Sequence, residues 1–359
     1  MTDVECMQRA LDLAKKGIGR TNPNPAVGCV IVKNDRIIGE GWHRRCGGPH
    51  AEILALRNAG AGTSGATMFL TLEPCYHQGR TPPCVDAVSR SGVKRVVIAM
   101  PDPNPKVRGR SIKKLRSAGI PVETGVLEQE AREINRPFIK WITSRIPLVT
   151  IKTAQTMDGK IASSDGQSKW ITSESARKYT RTFRNQFDAI LVGINTVLSD
   201  EPELNPGIHS KPWTKIVLDS RLRIPLNAKL FRDFKTIVVA TETRGQKATR
   251  LKRQGVEVLS LPVELNGRFS FETLLKELGK REITNVLIEG GSGAIGSALK
   301  EKAADRFLTV IAPKIIGDQQ AVSAVDGLKI KDVNKAVRLE VEKVSEIGGD
   351  WVFEGNVRY

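Results

Sequence analysis

The sequence predicts an α/β fold in two domains, residues 1–145 and 146–359. Its length of 359 residues exceeds what one domain of ordinary size requires. Short apolar segments typical of buried strands alternate with segments in which apolar residues recur at helical spacing. Between the domains, Arg145-Ile146-Pro147 interrupts a helical segment just before a new strand begins, because proline ends helices.

In the first domain, a helix over residues 5–16 is predicted from apolar residues at helical spacing, and Gly17 ends it. A hairpin comes next, since two apolar strands flank the turn Asn34-Asp35. Later helices end at glycines, as at Gly60 and Gly92. The predicted strands cover 27–32, 37–41, 67–72, 93–100 and 120–125, and the later helices cover 50–59, 84–91, 111–118 and 131–144.

In the second domain, further aliphatic runs predict a second sheet, with helices between its strands. The chain ends in a strand-rich stretch over 337–353 without long helices. The predicted strands cover 148–152, 189–193, 215–219, 236–240, 256–259, 285–289 and 306–312. Each domain is large enough to bury its own core.

The composition favours anionic partners and excludes several classes of protein. Lysine and arginine outnumber aspartate and glutamate by 56 to 39, and both halves share the formal charge of +17. Such a surplus attracts phosphorylated metabolites or nucleic acid, and the low aromatic content of 5% argues against nucleic acid. No apolar run approaches the roughly 18 residues of a membrane helix. The N-terminus lacks signal-peptide features, so we expect a cytoplasmic protein without membrane contact.

The cysteines are confined to the start of the chain. An odd number of cysteines without a secretory signal argues against a disulfide framework and for metal binding or catalysis. The five positions are Cys6, Cys29, Cys46, Cys75 and Cys84.

His50, Glu52, Cys75 and Cys84 form the pattern H-x-E with P-C…C, which is typical of zinc-dependent nucleobase deaminases. One imidazole and two thiolates would supply three ligands of a tetrahedral zinc ion and leave the fourth position to water. Glu52 would move protons between that water and a leaving amine. A structural zinc closed by His43, Cys46 or His77, or a thiol pair without metal, is the alternative.

The spacing of the two cysteines departs from the general pattern, because eight residues separate them. The segment from Leu72 to Cys84, with the loops over 21–28 and 101–105, resembles the pyrimidine deaminase of riboflavin biosynthesis. The resemblance implies a cytidine-deaminase-like α/β/α sandwich that acts on a phosphorylated pyrimidine. It also implies substrate contacts from Asn24, Arg80, Asp102 and Asn104. Arg80 suits a phosphate group.

A glycine-rich loop in the second domain follows the predicted strand over 285–289. Gly291-x-Gly293-x-x-Gly296 formally matches a dinucleotide-binding fingerprint, in which backbone amides approach a pyrophosphate. Several strands precede the loop, which argues against the first strand of a Rossmann fold. Tight packing of a helix on a strand is the alternative interpretation.

In the riboflavin family that the first domain resembles, the deaminase is commonly fused to a reductase. The resemblance therefore implies a dihydrofolate-reductase-like α/β domain that uses NADPH, and it implies the following residues. The cofactor residues are Ala154, Trp170, Thr196, Asp200, Ser220, Gly291, Ser292, Gly293, Ala294, Ile295, Gly296 and Ser297. The substrate residues are Lys152, Ser168, Arg184, Leu204 and Glu289. Ser220-Arg221 and Arg223 suit the 2′-phosphate of NADPH.

One segment departs from the pattern of that reductase, which continues after Leu204 into a threonine and a phosphate-binding arginine. Here Asn205-Pro206-Gly207 follows instead, so the charge is missing. His209 or Lys211 would have to replace it, and reduction would continue with weakened substrate affinity.

The motifs together with this resemblance imply a bifunctional enzyme of riboflavin biosynthesis that binds Zn²⁺ and NADPH. It would deaminate 2,5-diamino-6-ribosylamino-4(3H)-pyrimidinone 5′-phosphate and then reduce the ribosyl group to ribityl. We expect a homo-oligomer. Two alternatives stay open: a monofunctional deaminase with an inactive C-terminal dimerisation domain, and an RNA base deaminase favoured by the basic charge.

Overall fold

The structure is a computed structural model that describes residues 1–76, 83–105, 107–207, 213–233, 235–241, 245–264 and 267–359. It divides into two compact units, Met1–Arg145 and Ile146–Tyr359, each with its own hydrophobic core. Among the described residues, no helix combines the length and the apolar character needed to cross a membrane. Both units mix helices and strands, so the predicted α/β class is confirmed.

The first unit is built on one mixed sheet with the strand order β2-β1-β3-β4-β5. Strands β1 and β2, and β1 and β3, pair antiparallel, whereas β3, β4 and β5 run parallel. Its strands are β1 (Gly28–Lys33), β2 (Arg36–Trp42), β3 (Thr67–Leu72), β4 (Arg95–Met100) and β5 (Val122–Thr124). Its helices are α1 (Asp3–Lys15), α2 (Ala51–Ala59), α3 (Cys84–Arg90), α4 (Arg110–Ser117), α5 (Glu128–Ile134) and α6 (Arg136–Ser144).

Helices α1 and α2 cover opposite faces of this sheet, and glycines allow their close approach. A Cβ at Gly28 would lie 1.9 Å from the carbonyl oxygen of Ala10 in α1. A Cβ at Gly41 would lie 2.3 Å from the carbonyl oxygen of Ala51 in α2. Gly28 pairs with Trp42, one residue from Gly41, so the two glycines face opposite sides of the sheet. The result is the expected α/β/α sandwich.

The predicted single helix over 131–144 is wrong, because the chain breaks at Asn135 into α5 and α6. Pro137 lacks the N–H group that a continuous helix would need there. The buried side chain of Asn135 accepts a hydrogen bond from the Ala26 N–H at 2.9 Å and donates one to the Ala26 carbonyl at 3.0 Å. The break therefore ties this segment to the loop before β1.

The second unit contains a larger sheet with the order β11-β10-β9-β8-β12-β6-β13-β16-β15. The first seven strands in this order, from β11 to β13, are all parallel to one another. Strand β16 pairs antiparallel with β13, and β15 pairs antiparallel with β16. Its strands are β6 (Leu148–Thr156), β7 (Lys160–Ala162), β8 (Ala189–Gly193), β9 (Thr214–Leu218), β10 (Lys235–Ala240), β11 (Glu257–Ser260), β12 (Asn285–Glu289), β13 (Arg306–Ala312), β14 (Val322–Ser323), β15 (Arg338–Ile347) and β16 (Asp350–Arg358). Its helices are α7 (Glu174–Phe183), α8 (Ile194–Asp200), α9 (Gln246–Arg253), α10 (Phe271–Lys280) and α11 (Ser292–Lys300).

The carboxyl ends of the neighbouring parallel strands β8, β12 and β6 meet at one edge of this sheet. Ligands bind at such edges in α/β folds, because the loops and helix N-termini that follow the strands converge there. The strand-rich end of the chain is a hairpin of β15 and β16, which turns at Gly348 and Gly349 with φ of 62° and 84°. The small pair of β7 and β14 was not predicted.

Candidate functional site

Three structural elements bring the predicted zinc ligands of the first unit together. His50 is the N-cap residue of α2, Cys75 follows β3, and Cys84 is the first residue of α3. Helices α2 and α3 therefore both begin at this cluster, and the first N–H groups of a helix have no partner within the helix. The Cys84 N–H donates to Sγ of Cys75 at 3.2 Å.

The distances among these side chains fit a tetrahedral ion. Nδ1 of His50 lies 3.2 Å from Sγ of Cys84 and 3.7 Å from Sγ of Cys75. All three candidate ligand atoms lie within 4.8 Å of one another. Tetrahedral zinc with usual bond lengths separates its nitrogen and sulfur ligands by about 3.6 Å and its sulfur ligands by about 3.8 Å. The donor set of one imidazole and two thiols therefore suits zinc in composition and spacing.

The thiols are prepared for metal binding by their surroundings. Hydrogen bonds from Cys84 and His50 lower the pKa of Cys75 to about 4. The hydrogen bond to this sulfur raises the pKa of Cys84, so Cys84 keeps its proton. A divalent cation would displace that proton, because metal ligation favours the thiolate.

The carboxyl group of Glu52 lies beside these ligands in the first turn of α2. It hydrogen-bonds the thiol of Cys84, and only 3% of the residue is exposed. Burial raises the pKa of Glu52 to about 7. A carboxyl group with a pKa near neutrality can both accept and donate a proton, which is what general acid–base catalysis requires.

His43 does not complete a closed structural zinc site. Its Nδ1 lies 3.1 Å from the carbonyl oxygen of Pro49, so Nδ1 carries the proton, and its Nε2 lies 3.2 Å from Nδ2 of Asn24. Both ring nitrogens are thus engaged. Among the described residues, the cluster able to hold a metal contains neither His43 nor Cys46. His77 lies outside the described residues.

The hydrogen bond from Asn24 to His43 fixes the orientation of the Asn24 amide. Because Nε2 of His43 accepts, Nδ2 of Asn24 must point toward it, and the amide oxygen of Asn24 points the opposite way. The pKa of His43 is lowered by burial, which keeps its ring neutral. The sequence did not reveal this role of His43.

Asp102 and Asn104 lie in the loop after β4. Oδ1 of Asp102 accepts the Asn104 N–H at 2.8 Å, and burial raises the pKa of Asp102 to about 7. The remaining predicted residue of this site, Arg80, lies outside the described residues.

Glu73 is a further residue of this site that sequence reasoning did not single out. Its buried carboxylate accepts the backbone N–H groups of Asp102 at 3.1 Å, Gly109 at 2.9 Å and Ser111 at 3.1 Å. It therefore joins the end of β3 to the loop after β4 and to the N-terminus of α4. The only sequence signal for this role is the position of Glu73 two residues before Cys75.

We expect Glu73→Gln to destabilise the first unit by about 2 kcal/mol, because hydrogen bonds to a charged acceptor are worth about 1.5–3 kcal/mol. An amide also directs an NH₂ group at backbone donors. Chemical denaturation measures the loss, and Glu123→Gln, which changes an exposed carboxylate of the same unit, is the matched control. Equal stability of the two variants would contradict the role given to Glu73.

The second unit contains a cavity of about 1290 Å³ at the carboxyl ends of β6, β8 and β12. Small-molecule pockets commonly measure about 300–1,000 Å³, so this cavity has room for two ligands together. Nearly all residues predicted for cofactor and substrate line it. They are Lys152, Ala154, Ser168, Trp170, Arg184, Thr196, Asp200, Leu204, Ser220, Glu289, Gly291, Ser292, Gly293, Ala294, Ile295 and Ser297.

The glycine-rich segment, residues 290–297, lines the cavity at every position except Gly296. Gly290 and Gly291 have φ of 83° and 78°, and a Cβ at Gly291 would lie 3.2 Å from Oγ1 of Thr196. The loop then presents the N-terminus of α11 to the cavity, as anion binding requires. Gly296 is not among the residues that line the cavity in the described part of the chain, because it packs elsewhere. A Cβ there would lie 1.6 Å from the carbonyl oxygen of Asp326.

A buried cluster of charges occupies the centre of this cavity wall. Arg184 donates to both carboxylate oxygens of Glu289, at 2.9 and 2.7 Å, and to the carbonyl oxygen of Asn205 at 2.9 Å. Burial would raise the pKa of Glu289, but Arg184 and Lys152 outweigh it and hold the pKa below its usual range. Burial also lowers the pKa of Lys152, and Arg184 adds to this effect.

The segment Asn205-Pro206-Gly207 lines the cavity beside this cluster. His209 and Lys211, which were expected to replace a missing charge there, lie outside the described residues.

Two family models match the chain, one in each unit. The model of the RibD C-terminal domain matches residues 147–353. The model of the cytidine and deoxycytidylate deaminase zinc-binding region matches residues 1–100.

Individual proteins are similar over nearly the whole chain. The riboflavin biosynthesis protein RibD of Aquifex aeolicus is 45% identical over 354 residues, which cover 98% of this chain and 97% of that protein. RibD of Escherichia coli is 38% identical over 367 residues and 98% of each chain. Among solved structures, Acinetobacter baumannii RibD superposes with a TM-score of 0.90 at 37% identity, over 99% of each chain. A diaminohydroxyphosphoribosylaminopyrimidine deaminase/5-amino-6-(5-phosphoribosylamino)uracil reductase from Thermotoga maritima gives a TM-score of 0.88 at 37% identity, over 99% of this chain and 98% of that chain.

Proposed function

The chain belongs to the RibD family of riboflavin biosynthesis proteins, which makes it a bifunctional deaminase and reductase, and from this premise we propose which residues carry each reaction. Membership confirms the predicted pair of activities and disfavours the monofunctional and RNA-deaminase alternatives. We assign deamination to the unit Met1–Arg145 and reduction to the unit Ile146–Tyr359. The arrangement that supports the first assignment best is the cluster of His50, Cys75 and Cys84 with Glu52 beside it.

In the deaminase, His50, Cys75 and Cys84 would hold a zinc ion, which when bound supplies a Lewis acid that activates water. Glu52 takes a proton from the attacking water and delivers it to the exocyclic amine, which leaves as ammonia when its C–N bond breaks. The amide oxygen of Asn24 and the carboxyl group of Asp102 orient the pyrimidine. Arg80 remains our proposed partner of its phosphate group.

In the reductase, NADPH would supply the hydride that adds to C1′ of the ribosyl group. The N-terminus of α11 suits the pyrophosphate of this cofactor, and Thr196 supports the glycine loop from beneath. Glu289 and Arg184 hold the substrate side of the cavity. We assign the proton that opens the ribose ring to Lys152 rather than to Asp200. Lys152 pairs with Glu289 across β6 and β12 and lines the cavity, and burial lowers the pKa of this lysine, which eases the loss of its proton.

We propose that Arg223 makes the reductase prefer NADPH, which carries a 2′-phosphate, over NADH. This arginine lines the cavity with Ser220, and Oδ1 of Asn195 holds its Nη2 at 2.8 Å. We expect Arg223→Ala to raise KM for NADPH about tenfold, the loss of roughly 1.4 kcal/mol of binding, without changing KM for NADH. Arg221 lies two residues earlier and is not among the described residues that line the cavity, so Arg221→Ala should change neither value. Equal effects of Arg223→Ala on both cofactors would contradict the assignment.

A mass-resolved assay of the zinc-loaded protein tests both activities together. With the diamino substrate alone we expect a gain of about one dalton, as oxygen replaces nitrogen. Adding NADPH should give about two daltons more, from one hydride and one proton. The first gain without the second would limit the proposal to the deaminase, and neither gain would refute the substrate assignment.

We also propose that the chain forms a homo-oligomer through the hairpin of β15 and β16. Leu339, Val341 and Val344 are between 44 and 49% exposed, and their register places them on one face with Trp351. Exposed apolar patches on an edge strand are typical of interfaces. Sedimentation should give a mass above that of one chain, and Val341→Lys with Val344→Lys should give a monomer. A monomeric wild type would refute the proposal.

A further inference from the structure

Three arginines line the cavity of the second unit from one face of α7 and from the residue that follows this helix. Two of them already contact other groups of the protein. The guanidinium of Arg177 stacks on the ring of Trp170 at 4.1 Å and donates to the carbonyl oxygen of Thr172. Arg184 donates to Glu289 and to Asn205. Arg181 lies between them, is exposed, and has no hydrogen-bond or ion-pair partner for its side chain among the described residues.

The buried cluster of Lys152, Arg184 and Glu289 carries too little positive charge to balance a phosphate group. Glu289 neutralises Arg184, which leaves the positive charge of Lys152 alone, and the pKa of this lysine is lowered. A phosphate monoester carries about −1.5 to −2 charges near neutral pH. A further cation must therefore face the ligand if the phosphate is to be balanced.

The space next to Arg181 is open for such a ligand. A Cβ at Gly207 would lie 3.5 Å from the carbonyl oxygen of Arg181, so these two residues are neighbours across the cavity wall. Gly207 itself brings no side chain, and Asn205 and Pro206 bring no charge. The side chain of Arg181 lines the same cavity as Gly207, and among the described residues it is a cation without a hydrogen-bond or ion-pair partner.

We propose that Arg181 binds the 5′-phosphate of the reductase substrate and sets the preference for phosphorylated over dephosphorylated pyrimidine, an inference that rests on the proposed reductase activity. The arginine acts as a binding residue and takes no part in hydride or proton transfer. Its loss should therefore change KM for the substrate and leave kcat nearly unchanged.

The test compares Arg181→Ala with Lys178→Ala, which removes the same charge from the same helix but does not line the cavity in the described structure. We expect Arg181→Ala to raise KM for the 5′-phosphate substrate at least tenfold, and to leave KM for the dephosphorylated substrate and for NADPH unchanged. Lys178→Ala should leave all three values unchanged. Adding Gly207→Arg to Arg181→Ala should restore affinity, because φ at Gly207 suits any residue and only the Asn185 amide would have to shift.

A second measurement separates failure of this inference from failure of the proposed function. Ribose 5-phosphate should protect the wild type against thermal unfolding and should not protect Arg181→Ala. Protection that is equal in both proteins would overturn the role of Arg181. A rise in KM for NADPH alone would also overturn it, by placing Arg181 at a cofactor phosphate. An inactive wild type that is nevertheless protected through Arg181 would refute the reductase assignment and keep the phosphate site.

Discussion

Glu52→Gln should slow deamination at least about a hundredfold and leave reduction intact. Glu52 is buried beside Cys84, and burial raises its pKa to about 7, so its carboxyl group can carry a proton between two reacting atoms. Glutamine has the same shape but cannot transfer a proton. General acid–base groups contribute about 10²–10⁴-fold to rate, and we expect kcat of the deaminase to fall within that range.

Three readouts make this prediction specific to proton transfer. Zinc content should remain that of the wild type, because His50, Cys75 and Cys84 are unchanged. The reductase rate with deaminated substrate should also be unchanged. Glu130→Gln, at an exposed position of the same unit, should retain full activity. A Glu52→Gln protein that deaminates at even a tenth of the wild-type rate would refute the assignment.

Glu289→Ala should have the largest effect in the second unit, because it leaves two cations buried without a counter-charge. Glu289 binds Arg184 through two hydrogen bonds, and only 10% and 19% of the two side chains are exposed. Breaking a buried pair by removing one partner typically costs about 3–5 kcal/mol. We therefore expect a loss of this size in the free energy of unfolding of this unit, together with loss of reduction.

Two comparisons test the electrostatic cause. The double variant Arg184→Leu with Glu289→Leu should be less destabilised than Glu289→Ala, since it removes both charges of the pair.

Acid sensitivity gives the second comparison. The pKa of Glu289 is lowered in the fold, so its stabilising contribution is present above its unfolded pKa of about 4.5 and is lost as pH falls through the lower folded value. Stability of Glu289→Ala should fall less steeply there; an identical acid slope would contradict this account.

The cluster of His50, Cys75 and Cys84 could be predicted because its members belong to short motifs. His50 and Glu52 are two residues apart on one helix, and Cys75 and Cys84 each stand next to prolines that mark the ends of elements. Zinc coordination restricts the type and number of ligand residues so strongly that such a pattern can be recognised in a sequence before the fold is known. The reductase residues were named through resemblance, because Lys152, Arg184 and Glu289 carry no local motif.

Contacts between distant parts of the chain could not be predicted. The break at Asn135 depends on Ala26, which lies 109 residues away in sequence. Glu73 acts through backbone groups 29 to 38 residues away. Gly296 matches a nucleotide-binding fingerprint, yet the structure packs it against Asp326, because the spacing of glycines does not reveal which of them faces a ligand.

Only a glycine at position 41 allows α2 to lie as close to the sheet as it does, and α2 carries residues of the candidate active site. Helix α2 carries Glu52 and begins directly after His50, and a methyl group at position 41 would lie 2.3 Å from the oxygen of Ala51. The helix would have to rise from the sheet, and both residues would move relative to the cysteines. Randomised libraries should therefore tolerate almost nothing at position 41, although Gly41 does not belong to the cluster of His50, Cys75 and Cys84. The deamination reaction therefore also constrains Gly41, a residue of the sheet on which α2 packs.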